Sequence, residues 1–247
     1  MTERPGYRPY EPQFELVAWG DEIWTVEGPE VAYKLAGVRL PCPTRMTVVR
    51  LPHRRLWLHS TIAWYQPLAA ALEELGNIET IIAPNSYHHL HISAWAGSAP
   101  AEKVYASPDL IGKVDSEAWR PLGSAPAAEW LDELDQCLVG LGTYQEIVFF
   151  HRRSSTLIVT DLMQNFEGDR VARPLTRLLF KVGGATGPIG TTSVEVRFAA
   201  TGRRRKLRAA VSQMQTWKPD GIILSHGLCY RTGAPAELKR AFAWAMQ

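Results

Sequence analysis

The sequence has few cysteines, no long apolar run and almost no net charge, and each shortage excludes a class of protein. Its three cysteines, Cys42, Cys137 and Cys229, lie far apart and form no Cys-x-x-Cys pair. This pattern argues against a disulfide framework or a thiolate zinc site and fits a reducing cytosol. No apolar run approaches the roughly 20 residues of a membrane span, so we expect no membrane partner. The formal charge of +2 is too small to indicate an anionic partner by itself.

The N-terminal segment 1–13 is predicted to be an extended arm. Its first twelve residues contain Arg4, Arg8 and three prolines but no apolar core, so we expect no signal peptide and a cytoplasmic location. Residues 14–247 show no linker between independent domains and no repeat of fixed period. We therefore predict one domain over 14–247, which is long enough to form a well-filled core.

The domain alternates between runs of β-forming residues and amphipathic runs. Strands are predicted at 23–26, 46–51, 56–60, 80–83, 104–106, 146–150, 156–160 and 221–225. Helices are predicted at 67–75, 170–182, 206–217 and 236–246, and a glycine-rich loop at 183–190. Because hairpins precede the first helix, the order favours sheets covered by helices over a purely parallel fold.

Three of the predicted strands lead into side chains that bind metal ions or carry protons. One of them leads into a loop that contains His88, His89 and His91, which are three of the seven histidines in the chain. Asp161 and His226 each follow another predicted strand. Strand ends on the same edge of a sheet lie close together, so these side chains can share one pocket. Imidazole nitrogens combined with a carboxylate are a usual ligand set for Zn²⁺, Fe or Mn.

The order of these motifs resembles the metallo-β-lactamase superfamily, whose fold is shared by glyoxalase II and ribonuclease Z, and within it a divergent branch of unknown function. Five segments carry the resemblance, and they span nearly the whole chain: 23–29, 56–60, 82–89, 156–161 and 223–227. The resemblance implies an α/β (α+β) fold, namely the αββα four-layer sandwich of that superfamily.

The resemblance also implies a degenerate metal motif. When the superfamily's Thr-His-x-His-x-Asp-His motif is set with its final His on His89, the first two His positions fall on Pro84 and Ser86 and the Asp position on His88. The segment 141–145, where the next family histidine is expected, contains none. One of the superfamily's two metal sites is therefore erased in this chain.

The other metal site is implied to survive. Its ligands are expected to be His88, His89, Asp161 and His226, which form a set for one metal ion. His91 is the alternative to His88, because alternating residues of an extended loop point to opposite sides.

His59 and Glu146 are predicted catalytic residues that orient the ligands or carry protons, because their strands end near the site. His59 stands where many relatives carry Asp. One divalent ion, Zn, Fe or Mn, with an open position would lower the pKa of bound water toward ~7 and supply hydroxide for attack on an ester, amide or phosphoester. We therefore expect a divergent hydrolase with at most one metal ion and a small-molecule substrate. The alternative is a catalytically inactive protein of the same fold that holds no metal and acts as a binding or scaffold module.

We assign no function to two further motifs. The basic run 203–206 is interpreted as a solvated charged turn, since no aromatic residue alternates with it, and we expect no nucleic-acid partner. The glycine-rich loop lacks the Gly-Lys-Ser/Thr of a phosphate cradle.

Overall fold

A computed structural model describes residues 6–35, 37–98, 103–113, 119–187 and 190–247. Within these ranges, two β-sheets lie face to face and helices cover their outer faces. Two parts of the predicted segments lie outside the described residues, namely 1–5 of the N-terminal arm and 188–189 of the glycine-rich loop.

The first sheet contains seven strands that lie side by side in chain order. Its strands are β1 Val17–Gly20, β2 Ile23–Leu35, β3 Val38–Leu51, β4 Arg55–His59, β5 Asn77–Ala83, β6 Val104–Ala106 and β7 Arg120–Pro121. The first four pair antiparallel, and the sheet is parallel from β4 onward. The hairpin between β3 and β4 forms as predicted from the short polar turn at 52–55, although the structure already includes Arg55 in β4.

The second sheet contains four strands in the order β11-β10-β9-β8. These strands are β8 Leu134–Gly140, β9 Gln145–His151, β10 Thr156–Val159 and β11 Gly221–Leu224. The strands β8, β9 and β10 are antiparallel to their neighbours, whereas β10 and β11 are parallel. The sequence predicted three of these strands but not β8.

Seven α-helices are present among the described residues. They are α1 Gln66–Leu75, α2 Ile92–Trp95, α3 Pro174–Val182, α4 Val194–Ala199, α5 Arg204–Thr216, α6 Ala234–Ala241 and α7 Ala243–Met246. Helix α1 has a proline in its first turn and ends at Gly76, as its sequence pattern predicts. Helix α5 buries Leu207, Ala210, Val211 and Met214, which recur at helical spacing along one face. In the part of the chain that the structure describes, no helix combines the length and apolarity needed to cross a bilayer.

The alternation of side chains along the strands divides the interior into layers. In β9, Ile147 and Phe149 pack between the two sheets, whereas Val148 packs against the helices that cover the second sheet. In β4, Trp57 points between the sheets, and Leu58 packs under the helices of the first sheet. The resulting order is helix, sheet, sheet, helix, which is the predicted αββα sandwich.

Candidate metal centre

The candidate site lies where strands from both sheets end. His88 belongs to the loop after β5 of the first sheet, while Asp161 and His226 follow β10 and β11 of the second. Because β10 and β11 are parallel neighbours, Asp161 and His226 leave the sheet at the same edge. The β5 loop is tied to the second sheet by a hydrogen bond of 2.9 Å from the Ile147 N–H to the Pro84 carbonyl.

Three side chains converge on one point. His88 Nε2 lies 3.1 Å from Asp161 Oδ2, and His226 Nε2 lies 3.3 Å from Asp161 Oδ1. The two Nε2 atoms are 3.2 Å apart. Among the described residues, these three form the one group of His, Cys, Asp or Glu side chains whose ligand atoms are close enough to share a metal ion.

The remaining ring nitrogens of the two histidines are held by the protein. His226 Nδ1 lies 2.8 Å from the Pro43 carbonyl, which can only accept, so the proton of a neutral His226 stays on Nδ1. Its Nε2 lone pair then faces the Asp161 carboxylate, which is also an acceptor. Only a cation or a shared proton between them stabilises this arrangement. His88 Nδ1 contacts Ser60 Oγ at 2.5 Å, which fixes the orientation of the second ring.

The donor set fits a small divalent ion. Ligand atoms placed about 2.0–2.1 Å from zinc at tetrahedral angles are about 3.3 Å apart. The two Nε2 atoms here are 3.2 Å apart, and each lies within 3.3 Å of a different oxygen of the Asp161 carboxylate. Burial by itself would raise the pKa of Asp161, but the facing imidazoles of His88 and His226 hold that pKa well below its usual range. Asp161 is therefore an anion at neutral pH, as a metal ligand must be. Two imidazoles and one carboxylate leave at least one position free, which is typical of catalytic rather than structural sites.

Asn85 organises the loop that carries His88. Its Oδ1 accepts the backbone N–H groups of Tyr87 and His88 at 2.8 and 2.9 Å, which turns the chain back on itself. Its Nδ2 donates to Asp161 Oδ2 at 2.8 Å and to Thr160 Oγ1 at 3.0 Å. One buried amide thus connects two of the three ligand residues. This role was not predicted from the sequence, because an amide is not a typical metal ligand and its side-chain partners come from the other sheet.

Glu146 lies behind Asp161 and does not line the cavity. Its buried carboxylate accepts the backbone N–H groups of Thr160, Asp161 and Leu162 at 2.8, 2.9 and 2.9 Å, together with the hydroxyl of Tyr144 at 2.5 Å. Its bonds therefore hold the turn that presents Asp161. This contact agrees with an orienting role, and the predicted proton transfer through Glu146 stays a prediction.

The segment around His226 depends on a glycine and a buried arginine. Gly227 has φ of +88° and lies against the backbone of Asn165, so a Cβ at this position would meet main-chain atoms. The Arg45 guanidinium donates to the carbonyls of Leu224 and Gly227, the second at 2.9 Å. Glu27 accepts from Arg45 Nε at 2.6 Å. The backbone on both sides of His226 is thereby fixed.

The structure separates the remaining predicted residues from this cluster. His89 and His91 line the cavity, but neither belongs to the candidate metal group, and the Nδ1 of His89 and the Nε2 of His91 have no hydrogen-bond partner. His59 is fully buried, stacks on Trp57 at 5.4 Å between ring centroids, and has no partner for either ring nitrogen. Burial, followed by the nearby His88, lowers the pKa of His59 to about 3. His59 is therefore a neutral ring at physiological pH, and its predicted catalytic role stays a prediction.

A cavity of about 340 Å³ opens over the three ligand residues. Apolar atoms contribute most of its surface, and polar side chains such as Thr44, Gln164 and Glu195 stand among them, which is the usual composition of a small-molecule site. Tyr33 and Glu195 lie on this wall, and the Tyr33 hydroxyl donates to Glu195 at 2.7 Å. Burial raises the pKa of Glu195, against the opposing effect of the Tyr33 hydrogen bond. Neither residue was predicted from the sequence to belong to the site.

A scan against protein-family models and a search of curated proteins find no match for this chain. Solved structures do match it. The metallo-β-lactamase FIM-1 from Pseudomonas aeruginosa, in its mono-zinc form, is 14% identical over 97% of each chain, with a TM-score of 0.61. The metallo-β-lactamase DIM-1 exposed to ceftazidime is 12% identical over 95% of this chain and 97% of that one, with a TM-score of 0.61. A putative diflavin flavoprotein from Nostoc is 10% identical over 94% and 96%, with a TM-score of 0.59. The chain therefore has the fold of the metallo-β-lactamase superfamily, as the motif order predicted.

Proposed function

We propose that this protein is a hydrolase that depends on one divalent metal ion held by His88, Asp161 and His226. The observation that carries the proposal is the convergence of two imidazole nitrogens and a carboxylate within 3.3 Å of one another in a cavity. The mono-zinc FIM-1 structure, which has the same fold, supports a site for a single ion. When bound, the ion would supply Lewis-acid activation of water and of a carbonyl or phosphoryl group near neutral pH.

The chain's own residues have distinct tasks in this proposal. Asn85 and Gln164 donate to the Asp161 carboxylate at 2.8 and 3.2 Å, which fixes both of its oxygens toward the histidines. The carbonyl of Pro43 sets the tautomer of His226. Glu195 is our candidate for holding a proton in the cavity, because it lines the cavity wall and burial raises its pKa.

The first experiment measures metal content. Protein purified without chelator and then loaded with Zn²⁺, Mn²⁺ or Fe²⁺ should hold about one equivalent, and the loaded form should melt at a higher temperature than chelator-treated protein. Free ion at 100 times its Kd stabilises a folded protein by about 2.7 kcal/mol. Asp161→Asn should reduce the bound metal to a small fraction of an equivalent. Asp169→Asn is the matched control, because its carboxylate is exposed and pairs with Arg8 at the surface.

The second experiment separates the proposal from its alternative. Metal-loaded protein is assayed with a panel of activated esters, amides and phosphoesters, and turnover that Asp161→Asn abolishes supports the hydrolase. One bound equivalent without turnover of any member would contradict the hydrolase while keeping the metal site. No bound metal and no thermal shift with any of the three ions would overturn the metal site itself.

A further inference from the structure

One helix exposes its apolar side to solvent. In α3, Leu175, Leu178, Leu179 and Val182 recur at helical spacing, and the exposed fractions of Leu175 and Val182 are 68% and 78%. Thr176 and Phe180, on another side of the helix, make its buried contacts. A helix on a globular protein ordinarily turns its apolar stripe inward. Here the larger part of that stripe faces outward, which marks an interaction surface.

The exposed surface continues onto α4. The Val194 N–H donates to the Gly183 carbonyl at 3.1 Å, so the start of α4 lies against the end of α3. Val194 and Phe198 are one turn apart and are both exposed, Phe198 to 80%. We call these six apolar residues the α3–α4 face: Leu175, Leu178, Leu179, Val182, Val194 and Phe198. They are six of the fourteen exposed large hydrophobic residues among the described residues.

Another side of α3 carries basic residues. Arg177 and Lys181 are exposed on α3, Arg173 is exposed directly before it, and α3 contains no acidic residue. Glu195 of α4 is engaged elsewhere, because it accepts from Tyr33 in the wall of the cavity. Helix α3 therefore combines an exposed apolar side with a positively charged side.

We propose that the α3–α4 face binds the surface of an anionic lipid bilayer. Side chains exposed to this extent protrude from the surface, and a helix with apolar residues on one side and Lys and Arg on another is what an anionic membrane interface accepts. A partner helix would instead need a groove to receive its apolar side. A second copy packed on the same face by two-fold symmetry would bring two positively charged α3 helices together. Charge thus favours an anionic surface over self-association.

This inference is independent of the metal centre. It also goes beyond the sequence-based expectation of no membrane partner, which considered only segments long enough to span a bilayer. Peripheral binding requires no such segment.

Sedimentation with sucrose-loaded vesicles tests the proposal. The full chain is mixed with vesicles of phosphatidylcholine alone or of phosphatidylcholine with phosphatidylserine. Binding should require phosphatidylserine and should weaken as salt is added. The double variant Val182→Glu/Phe198→Glu should bind at least about tenfold more weakly, because each substitution removes an apolar contact and adds repulsion. Lys181→Glu should lower binding by roughly fivefold or more.

Leu131→Glu is the matched control, because Leu131 is also an exposed leucine but lies outside the α3–α4 face. Its binding should equal that of the unmodified chain, and all variants should keep the same melting temperature. Absence of binding to phosphatidylserine vesicles, or equal binding by the double variant, would overturn the proposal. A dimer in light scattering that the double variant dissociates would also overturn it, because the occupant would then be a second copy.

Discussion

Replacement of Glu146 by Gln tests whether the turn around Asp161 depends on a buried carboxylate. Glu146 Oε1 accepts the Thr160 N–H, and Oε2 accepts the N–H groups of Asp161 and Leu162. A glutamine amide has only one acceptor oxygen. In the orientation that keeps more bonds, this oxygen accepts the N–H groups of Asp161 and Leu162, and the NH₂ group then faces the Thr160 N–H. A hydrogen bond to a charged group contributes about 1.5–3 kcal/mol and a neutral one about 1 kcal/mol. One bond is lost and the rest are weakened, so we expect a net loss of about 3 kcal/mol in the free energy of unfolding.

Urea unfolding of the metal-free protein measures this loss, which should appear as a decrease of about 1–2 M in the midpoint. Glu73→Gln is the matched control, since Glu73 is exposed on α1 and should change stability by less than about 0.5 kcal/mol. Glu146→Gln should also weaken metal binding while leaving turnover at saturating metal nearly unchanged. A loss below about 1 kcal/mol would refute the positioning role. Full metal content combined with lost turnover would instead support the predicted proton transfer.

Three other substitutions test separate parts of the structure. Gly227→Ala should lower the free energy of unfolding by about 3 kcal/mol or more, measured by thermal unfolding, and weaken metal binding, because the new Cβ meets main-chain atoms. The control Gly233→Ala, at a glycine with φ of +79° but open space around it, should lower the free energy of unfolding by only about 1 kcal/mol. Burial and the nearby Arg153 lower the pKa of His151 to about 4, below the ordinary 6.5 that applies when the chain is unfolded. The unfolded chain therefore takes up this proton first, so stability falls as pH drops from 6.5 toward 4, by about 2 kcal/mol at pH 5. His151→Gln should remove that part of the slope, and an unchanged slope would contradict the assignment. Arg45→Met should lower the free energy of unfolding by about 3–5 kcal/mol, because it leaves the Glu27 carboxylate unpaired. The double variant Arg45→Met/Glu27→Leu should recover much of that loss in thermal unfolding.

Much of the fold is predictable because local patterns and burial agree. Strand β9, for example, alternates between the two core layers, and the sequence predicted it. Strand β8 was missed because its sequence contains Gln136, which is nevertheless buried and accepts the Trp130 indole N–H at 3.0 Å. A polar residue satisfied by a distant partner leaves no local signal. The helices α2 and α4 have four and six residues, too few for a helical period to stand out.

The candidate site was predictable to the level of strand ends but not of individual side chains. The rule that strand ends meet at an edge pointed to His88, Asp161 and His226, which the structure brings together. The same rule could not choose among the neighbouring histidines, because the loop after β5 is a turn and not an extended segment. Its shape is set by Asn85, whose side chain accepts two backbone N–H groups. Tertiary contacts across the two sheets therefore decide which imidazole faces Asp161.

The ligand residues belong to loops of different sheets, and this division has a mechanical consequence. An ion held by His88 on one side and by Asp161 and His226 on the other would cross-link the two halves of the sandwich at one edge. Amide hydrogen exchange should then slow in β5 and in β10 and β11 together when the ion is added, because separating the sheets would require its release. Protection confined to one sheet would show that the ion is held by that sheet alone.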